Sequence, residues 1–173
     1  MAGGPFTLLA EDCEDDVVIF RKTMTQALVD FPLFVVKDGQ EAIDYLKGAG
    51  EFRDRSVYPV PDLLLLDLVM PRRNGFEVLA WIRDQPALSR LFVVVLTSVE
   101  SIHNMENAHR LGAISFLVKP LNFTEMFLLS RFPSTARFFR PKQTATVASP
   151  ISEIQRQMRK IPRYRREPAR ETS

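Results

Sequence analysis

The chain has 173 residues, 46% of them hydrophobic and 25% charged, a balance that suits one globular domain with an extension and is short for two full domains. Its single cysteine excludes an intramolecular disulfide and a cysteine-rich zinc module, and no apolar run approaches the roughly 20 residues needed to span a bilayer. The net charge of +2 is divided unevenly: residues 1–130 carry 12 Lys+Arg against 18 Asp+Glu, and residues 131–173 carry 11 against 3, an acidic domain with a basic tail. The start, MAGGPFTLLAEDCEDD, has no basic segment ahead of its short apolar run. It is not the pattern of a signal peptide, and the cytoplasm is the expected location.

In chain order, FTLLA (6–10) is the first expected strand, followed by a helix with Val17, Phe20, Met24 and Leu28 on one face. LFVV (33–36) is the second, and Ile43 and Leu46 mark the inner face of the helix after it. A long stretch, YLKGAGEFRDRSVYPVPD, leads to LLLL (63–66). Asn74-Gly75 would signal a hairpin elsewhere, but no strand follows, so it is a turn into a third helix with Phe76 and Leu79 inward and Trp81 packed near its outer side. FVVVL (92–96) precedes a fourth helix whose inner positions are expected to be Ile102, Met105 and His109, and ISFLV (114–118) is the last strand. The last three strands do not alternate polar with apolar residues, the signature of a parallel sheet buried on both faces. Five strand–helix repeats in about 120 residues predict a doubly wound α/β sheet with helices on both sides. The fifth helix should begin near Asn122 or Thr124 and end or kink at Pro133. Residues 1–5 are read as an extension, 6–140 as the domain, and 141–173 as a basic, disordered tail with one short amphipathic stretch at Ile151, Ile154, Met158 and Ile161.

Chemistry in an open parallel sheet gathers at the carboxyl ends of its strands. Those positions hold Glu11 and Asp12 after the first strand, Asp67 after the third, Thr97 and Ser98 after the fourth, and Lys119 after the fifth. Three carboxylates brought together repel, and a hard divalent cation such as Mg²⁺ removes that penalty. Lys119 offers a fixed positive charge and Thr97 a hydroxyl, both suited to the oxygens of a transferring phosphoryl group. Asp67, the central carboxylate, can act as a nucleophile. Each residue alone has a plainer role: Asp67 could cap a loop, Thr97 could cap a helix, and Glu14 to Asp16 are read as a negative first turn that favours the helix dipole. Their joint placement at the correct strand ends is what points to a site.

The segments AEDCEDD, PDLLLLDLVMPRRNG, VVVLTS and SFLVKP resemble, in order and spacing, the receiver domain of two-component response regulators over about residues 5–130. The resemblance implies a flavodoxin-like sheet of order 2-1-3-4-5. It implies that Asp67 takes a phosphoryl group from a phosphohistidine on a sensor histidine kinase or phosphotransfer protein. It further implies that Asp12, Asp67 and the backbone carbonyl of Val69 hold Mg²⁺, with Glu11 acting through water. Thr97 and Lys119 would bind the phosphoryl group, with Thr97 and Phe116 as the switch pair, and the Lys119–Pro120 bond is cis in many such domains. The long loop before the third strand is similar to that of small stand-alone receivers that partner phytochrome-type kinases. Such a protein signals through protein contacts and catalyses only its own phosphorylation and dephosphorylation. The fourth helix, fifth strand and fifth helix form the expected output face, with a homodimer as one candidate contact.

Two other functions fit parts of the sequence. A haloacid-dehalogenase-like phosphatase also uses Asp, Thr or Ser, Lys and Mg²⁺, but needs a second Asp two positions after the nucleophile, where this chain has Val69. Nucleic-acid binding through the basic tail has charge in its favour and no recognised motif, and is not expected. Cys13 has no basic neighbour in sequence to activate it. His103 and His109 are expected as surface or half-buried residues of the fourth helix or its edge, two isolated histidines making a poor metal site.

Overall fold

In a computed structural model of the chain, residues 6–26, 32–97 and 102–119 are described, the side chains of residues 102–104 excepted. The expected fifth helix, the tail, the Lys119–Pro120 bond, Leu28, Ser98 and the Ile102 and His103 side chains lie outside them. Five strands, β1 (Thr7–Ala10), β2 (Leu33–Val36), β3 (Leu63–Asp67), β4 (Phe92–Thr97) and β5 (Ser115–Val118), form one sheet of order β2-β1-β3-β4-β5 with every pairing parallel. Among the described residues, the connections carry the α-helices α1 (Glu14–Gln26), α2 (Gly39–Lys47), α3 (Gly75–Arg83) and α4 (Ile102–Arg110).

The inner strands β1, β3 and β4 are buried on both faces, as their apolar runs require. The edge strands β2 and β5 are mostly half-buried, β5 against expectation, because each has a neighbour on one side only. Leu63, Leu64, Leu65 and Leu66 are fully buried. Alternation then sorts the core into two layers. Leu8, Ala10, Leu64, Leu66, Val93 and Val95 pack with α2 and α3 through Ile43, Leu46, Val78 and Leu79. Leu9, Leu63, Leu65, Val94, Leu96 and Leu117 pack with Phe20 and Met24 of α1. The inner face of α4 differs from the expected one: Met105 and His109 are exposed, and Ala108 is the buried position. A methyl side chain lets a helix lie closer to the sheet than a Met or His would. His109 instead places Nδ1 3.0 Å from the carbonyl of Ala113, beyond the helix end.

The stretch before β3 is structured. Asp38 caps α2 by accepting the Glu41 N–H at 2.9 Å, and the helix ends at Gly48 in the left-handed region (φ 69°). Arg55 reaches back to donate to the last-turn carbonyls of Tyr45 and Leu46 at 2.9 and 2.8 Å. Phe34, Tyr45, Phe52 and Tyr58 cluster beside this cap in tilted and edge-to-face contacts with ring centroids 5.1–6.3 Å apart, and burial pushes the Tyr45 phenol up to about 12. Trp81 is partly buried against the core, with the Lys47 ammonium 5.2 Å from its ring centre.

The turn from β3 into α3 is held at both ends. Asn74 and Glu77 form a reciprocal cap, each side chain accepting the other's backbone N–H at 3.0 Å. Arg72 takes a left-handed φ of 61°, which is uncommon for a side chain of its size. Its guanidinium is tied to the Asp38 carboxylate and lies 3.3 Å from Glu41, so the turn is fastened to the start of α2.

Candidate phosphoacceptor site

Parallel pairing brings the carboxyl ends of β1, β3, β4 and β5 to one edge, with Asp67 opposite Leu96 and Thr97 opposite Val118. Backbone bonds carry the order past the strands: Glu11 N–H donates to Val36 at 3.0 Å, Leu68 N–H to Leu96 at 3.3 Å, and Lys119 N–H to Thr97 at 2.9 Å. Alternation along β3 and β5 puts Asp67 and Lys119 on the α1 side of the sheet, with Leu65 and Leu117.

Asp67 is 5% exposed and held by both oxygens. Oδ1 accepts the Val69 N–H at 3.1 Å, and Oδ2 accepts from Lys119 Nζ at 2.7 Å. The Lys119 ammonium also donates to Asp16 Oδ2 at 3.0 Å and lies 2.5 Å from Glu11 Oε2. That last contact is a close ion pair off the hydrogen-bond direction, and Glu11 Oε2 accepts no hydrogen bond although it is buried. The other Glu11 oxygen accepts the N–H of Cys13, whose own side chain is exposed. Burial raises the Glu11 carboxyl above its ordinary value, and the attraction of Lys119 only partly offsets it. For Lys119, burial opposes the charge, but the hydrogen bonds to Asp67 and Asp16 and the close Glu11 carboxylate outweigh it and hold the ammonium protonated well above the usual lysine value.

Glu11, Asp12 and Asp67 each offer a carboxylate oxygen within 4.8 Å of the others, with Asp12 on the exposed side and Glu11 and Asp67 buried. Three carboxylate oxygens so close together make an all-oxygen donor set that fits a hard divalent cation. Thr97 is buried at the end of β4, Phe116 is half-buried opposite Val95 and packs on the α2–α3 side of the core, and the Val69 side chain is 67% exposed.

Among the described residues, Glu11, Asp12, Asp67, Thr97 and Lys119 lie at this edge, whereas Phe116 sits further back in β5 on the other face. Asp16, read as part of a helix-dipole turn, is a partner of Lys119, whereas Glu14 pairs with Lys37 at the surface. The usable signal was its place in the first turn of α1, just after Glu11 and Asp12 at the end of β1.

The model for the response regulator receiver domain matches residues 10–130. The chain belongs to that family. It is 33% identical over 120 residues to the response regulator Rcp1 of Synechocystis, covering 69% of this chain and 80% of Rcp1. Among solved structures it superposes on a response regulator in red light signaling of R. palustris (TM-score 0.68, 33% identity, 76% of this chain and 95% of that one). It also superposes on the Mn²⁺-bound form of Rcp1 (TM-score 0.64, 29% identity, 83% and 99%). The bacteriophytochrome response regulator AtBRR superposes as well (TM-score 0.69, 29% identity, 82% of this chain and 99% of that one). Among the described residues, no helix is long and apolar enough to cross a membrane.

The raised Glu11 carboxyl gives the metal-free receiver a defined pH response. Folded Glu11 binds its proton more readily than in the unfolded chain, so its contribution favours the fold below the ordinary value of 4.5 and is lost as pH rises through the raised value. Without divalent cations, the melting temperature of Glu11→Gln minus that of the wild type should increase as pH climbs from 4.5 towards neutrality. Thermal scans across that range check it, and a difference that stays flat or shrinks would contradict the assigned cause.

Proposed function

We propose that this chain is a cytoplasmic, stand-alone response regulator whose Asp67 accepts a phosphoryl group from a sensor histidine kinase or phosphotransfer protein. The observation that carries this reading is the Asp67 carboxylate, held between Lys119 Nζ at 2.7 Å and the Val69 N–H at 3.1 Å beside two further acids. In the transfer, a carboxylate oxygen of Asp67 attacks phosphorus and forms a P–O bond. The P–N bond of the phosphohistidine breaks, and its electron pair leaves on the imidazole, which takes up a proton. Such transfers depend on position and charge more than on covalent help. The Val69 N–H holds one oxygen and so orients the other, Lys119 supplies fixed positive charge for the phosphoryl oxygens, and the Thr97 hydroxyl completes the contacts to them. Asp12, Asp67 and the Val69 carbonyl would hold Mg²⁺, with Glu11 reached through water. When bound, that ion neutralises charge among the carboxylates and on the phosphoryl group.

Beyond its own phosphorylation and dephosphorylation, the domain is not an enzyme in this reading. The phosphatase alternative needs a general acid two residues after Asp67, and Val69 cannot supply a proton. Output would run through protein contacts. Phe116 and Thr97 would report the phosphorylated state, and a homodimer would form through α4, β5 and the expected fifth helix. Met105 on α4 and Ile114 before β5 are exposed apolar residues that suit such a contact. Residues 141–173 would be a basic appendage outside the folded domain. The test is phosphotransfer from autophosphorylated histidine kinases and from acetyl phosphate, with and without Mg²⁺. Mg²⁺-dependent labelling is expected; failure of every donor to label the chain would overturn the reading.

Dephosphorylation should be slow. In hydrolysis, a water oxygen attacks phosphorus, the P–O bond to Asp67 breaks, and the carboxylate is restored as inorganic phosphate leaves. The exposed Val69 side chain stands next to Asp67 in the same turn and cannot orient that water by hydrogen bonding. Val69→Asn should shorten the phosphoryl half-life several-fold in an acid-quenched decay assay. A half-life equal to or longer than that of the wild type would refute this role for Val69.

A further inference from the structure

Lys119 is surrounded by three carboxylates, and one of them is spare. Glu11 belongs to the acidic cluster and Asp67 is the reacting group, whereas Asp16 stands on α1 outside both roles. Its Oδ2 nevertheless accepts from Lys119 Nζ at 3.0 Å, although the two residues are 103 positions apart in sequence. The lysine side chain is only 11% exposed and that of Asp16 is 33% exposed, so the bond lies at the wall of the pocket. Leu9, Phe20 and Leu96 line that wall.

We propose that Asp16 is a positioning residue for phosphoryl transfer: it anchors the Lys119 ammonium from α1 and keeps one N–H aimed at Asp67 and at the group that Asp67 accepts. This rests on the reading of Asp67 as the phosphoacceptor. A lysine side chain has four rotatable bonds and finds no fixed direction from charge alone. Glu11 attracts it without a directed hydrogen bond, and the bond to Asp67 must loosen when that carboxylate attacks. Asp16 supplies the directed bond that does not change during the reaction, and it does so from a helix packed on the sheet through Phe20 and Met24. Removing it would let the ammonium settle fully on Asp67 and Glu11, masking the nucleophile and leaving the phosphoryl oxygens poorly met. Preorganised charge of this kind lowers a barrier because no reorganisation is needed during reaction.

The test measures phosphorylation of the full chain by acetyl phosphate at saturating Mg²⁺ for Asp16→Ala, alone and combined with Lys119→Met. Asp15→Ala, at the exposed neighbouring position, removes the same charge without the contact. Asp16→Ala should be slowed roughly tenfold, the scale of one lost charge-assisted hydrogen bond, Asp15→Ala should match the wild type, and in the Lys119→Met background Asp16→Ala should add nothing. Equal slowing in both backgrounds, or none when Lys119 is present, would overturn the proposal. A second readout needs no phosphorylation: the Lys119 side-chain NMR resonance, assigned by its loss in Lys119→Met, should move in Asp16→Ala and stay in place in Asp15→Ala. If it stays in place in Asp16→Ala, the anchor does not exist. A wild-type chain that takes no label would count against Asp67 as phosphoacceptor, whereas a labelled wild type with an unslowed Asp16→Ala would dismiss Asp16 alone.

Discussion

Asp67→Asn should take up no phosphoryl group from acetyl phosphate and Mg²⁺ under conditions that load one group onto the wild-type chain. The amide keeps the size and planarity of the carboxylate and one oxygen for the Val69 N–H, now 3.1 Å away. It loses the negative charge and the nucleophilic oxygen now facing Lys119 at 2.7 Å. No described residue nearby replaces it: Glu11 is buried, raised by burial and occupied by the Cys13 N–H, and Asp12 is an exposed acid without the lysine contact. Intact-protein mass spectrometry reads the result directly. Equal loading of both proteins would mean that the reacting group lies elsewhere.

Gly75→Ala should be the most disruptive small substitution in the turn that follows Asp67. A Cβ built on Gly75 would stand 2.4 Å from the Asp67 carbonyl oxygen and 2.8 Å from the Leu68 Cα, both backbone atoms that no rotamer change can move aside. The Gly75 N–H also donates to the Leu68 carbonyl at 3.1 Å, so helix and strand end are in direct contact. Relief requires α3 to move off β3, against the packing of Val78 and Leu79. A cost of about 3 kcal/mol is expected for forced overpacking, which lowers the melting temperature by roughly 10 °C in a domain of this size. The same shift would turn Asp67 away from Lys119, so phosphorylation should fall well below the fraction explained by unfolding. A variant with wild-type melting and labelling would show that the contact is not obligatory.

The legible parts of the sequence were those governed by local rules. Strands buried on both faces must be apolar throughout, and LLLL (63–66) and FVVVL (92–96) could hardly be read otherwise. The residue that ends such a run is fixed by position alone, which is why Glu11, Asp67, Thr97 and Lys119 were visible as a group before any geometry. The stretch after α2 was less legible. It looks like a loop, yet Arg55 caps the helix and Phe52 and Tyr58 join its aromatic cluster.

Amino-acid order by itself determined the strand sequence, the two-sided core and the acids at the strand ends, because burial and chain direction act on each segment separately. The tertiary structure decided which neighbours those residues meet. In α4, the few apolar side chains leave the inner position open between Met105 and Ala108 when read from sequence, and packing buries Ala108 while Met105 and His109 stay exposed. In α1, the acids 14–16 look alike in sequence, and only the approach of β5 distinguishes them. Glu14 turns to Lys37 in solvent, while Asp16 meets an ammonium with little water around it, where its charge matters far more.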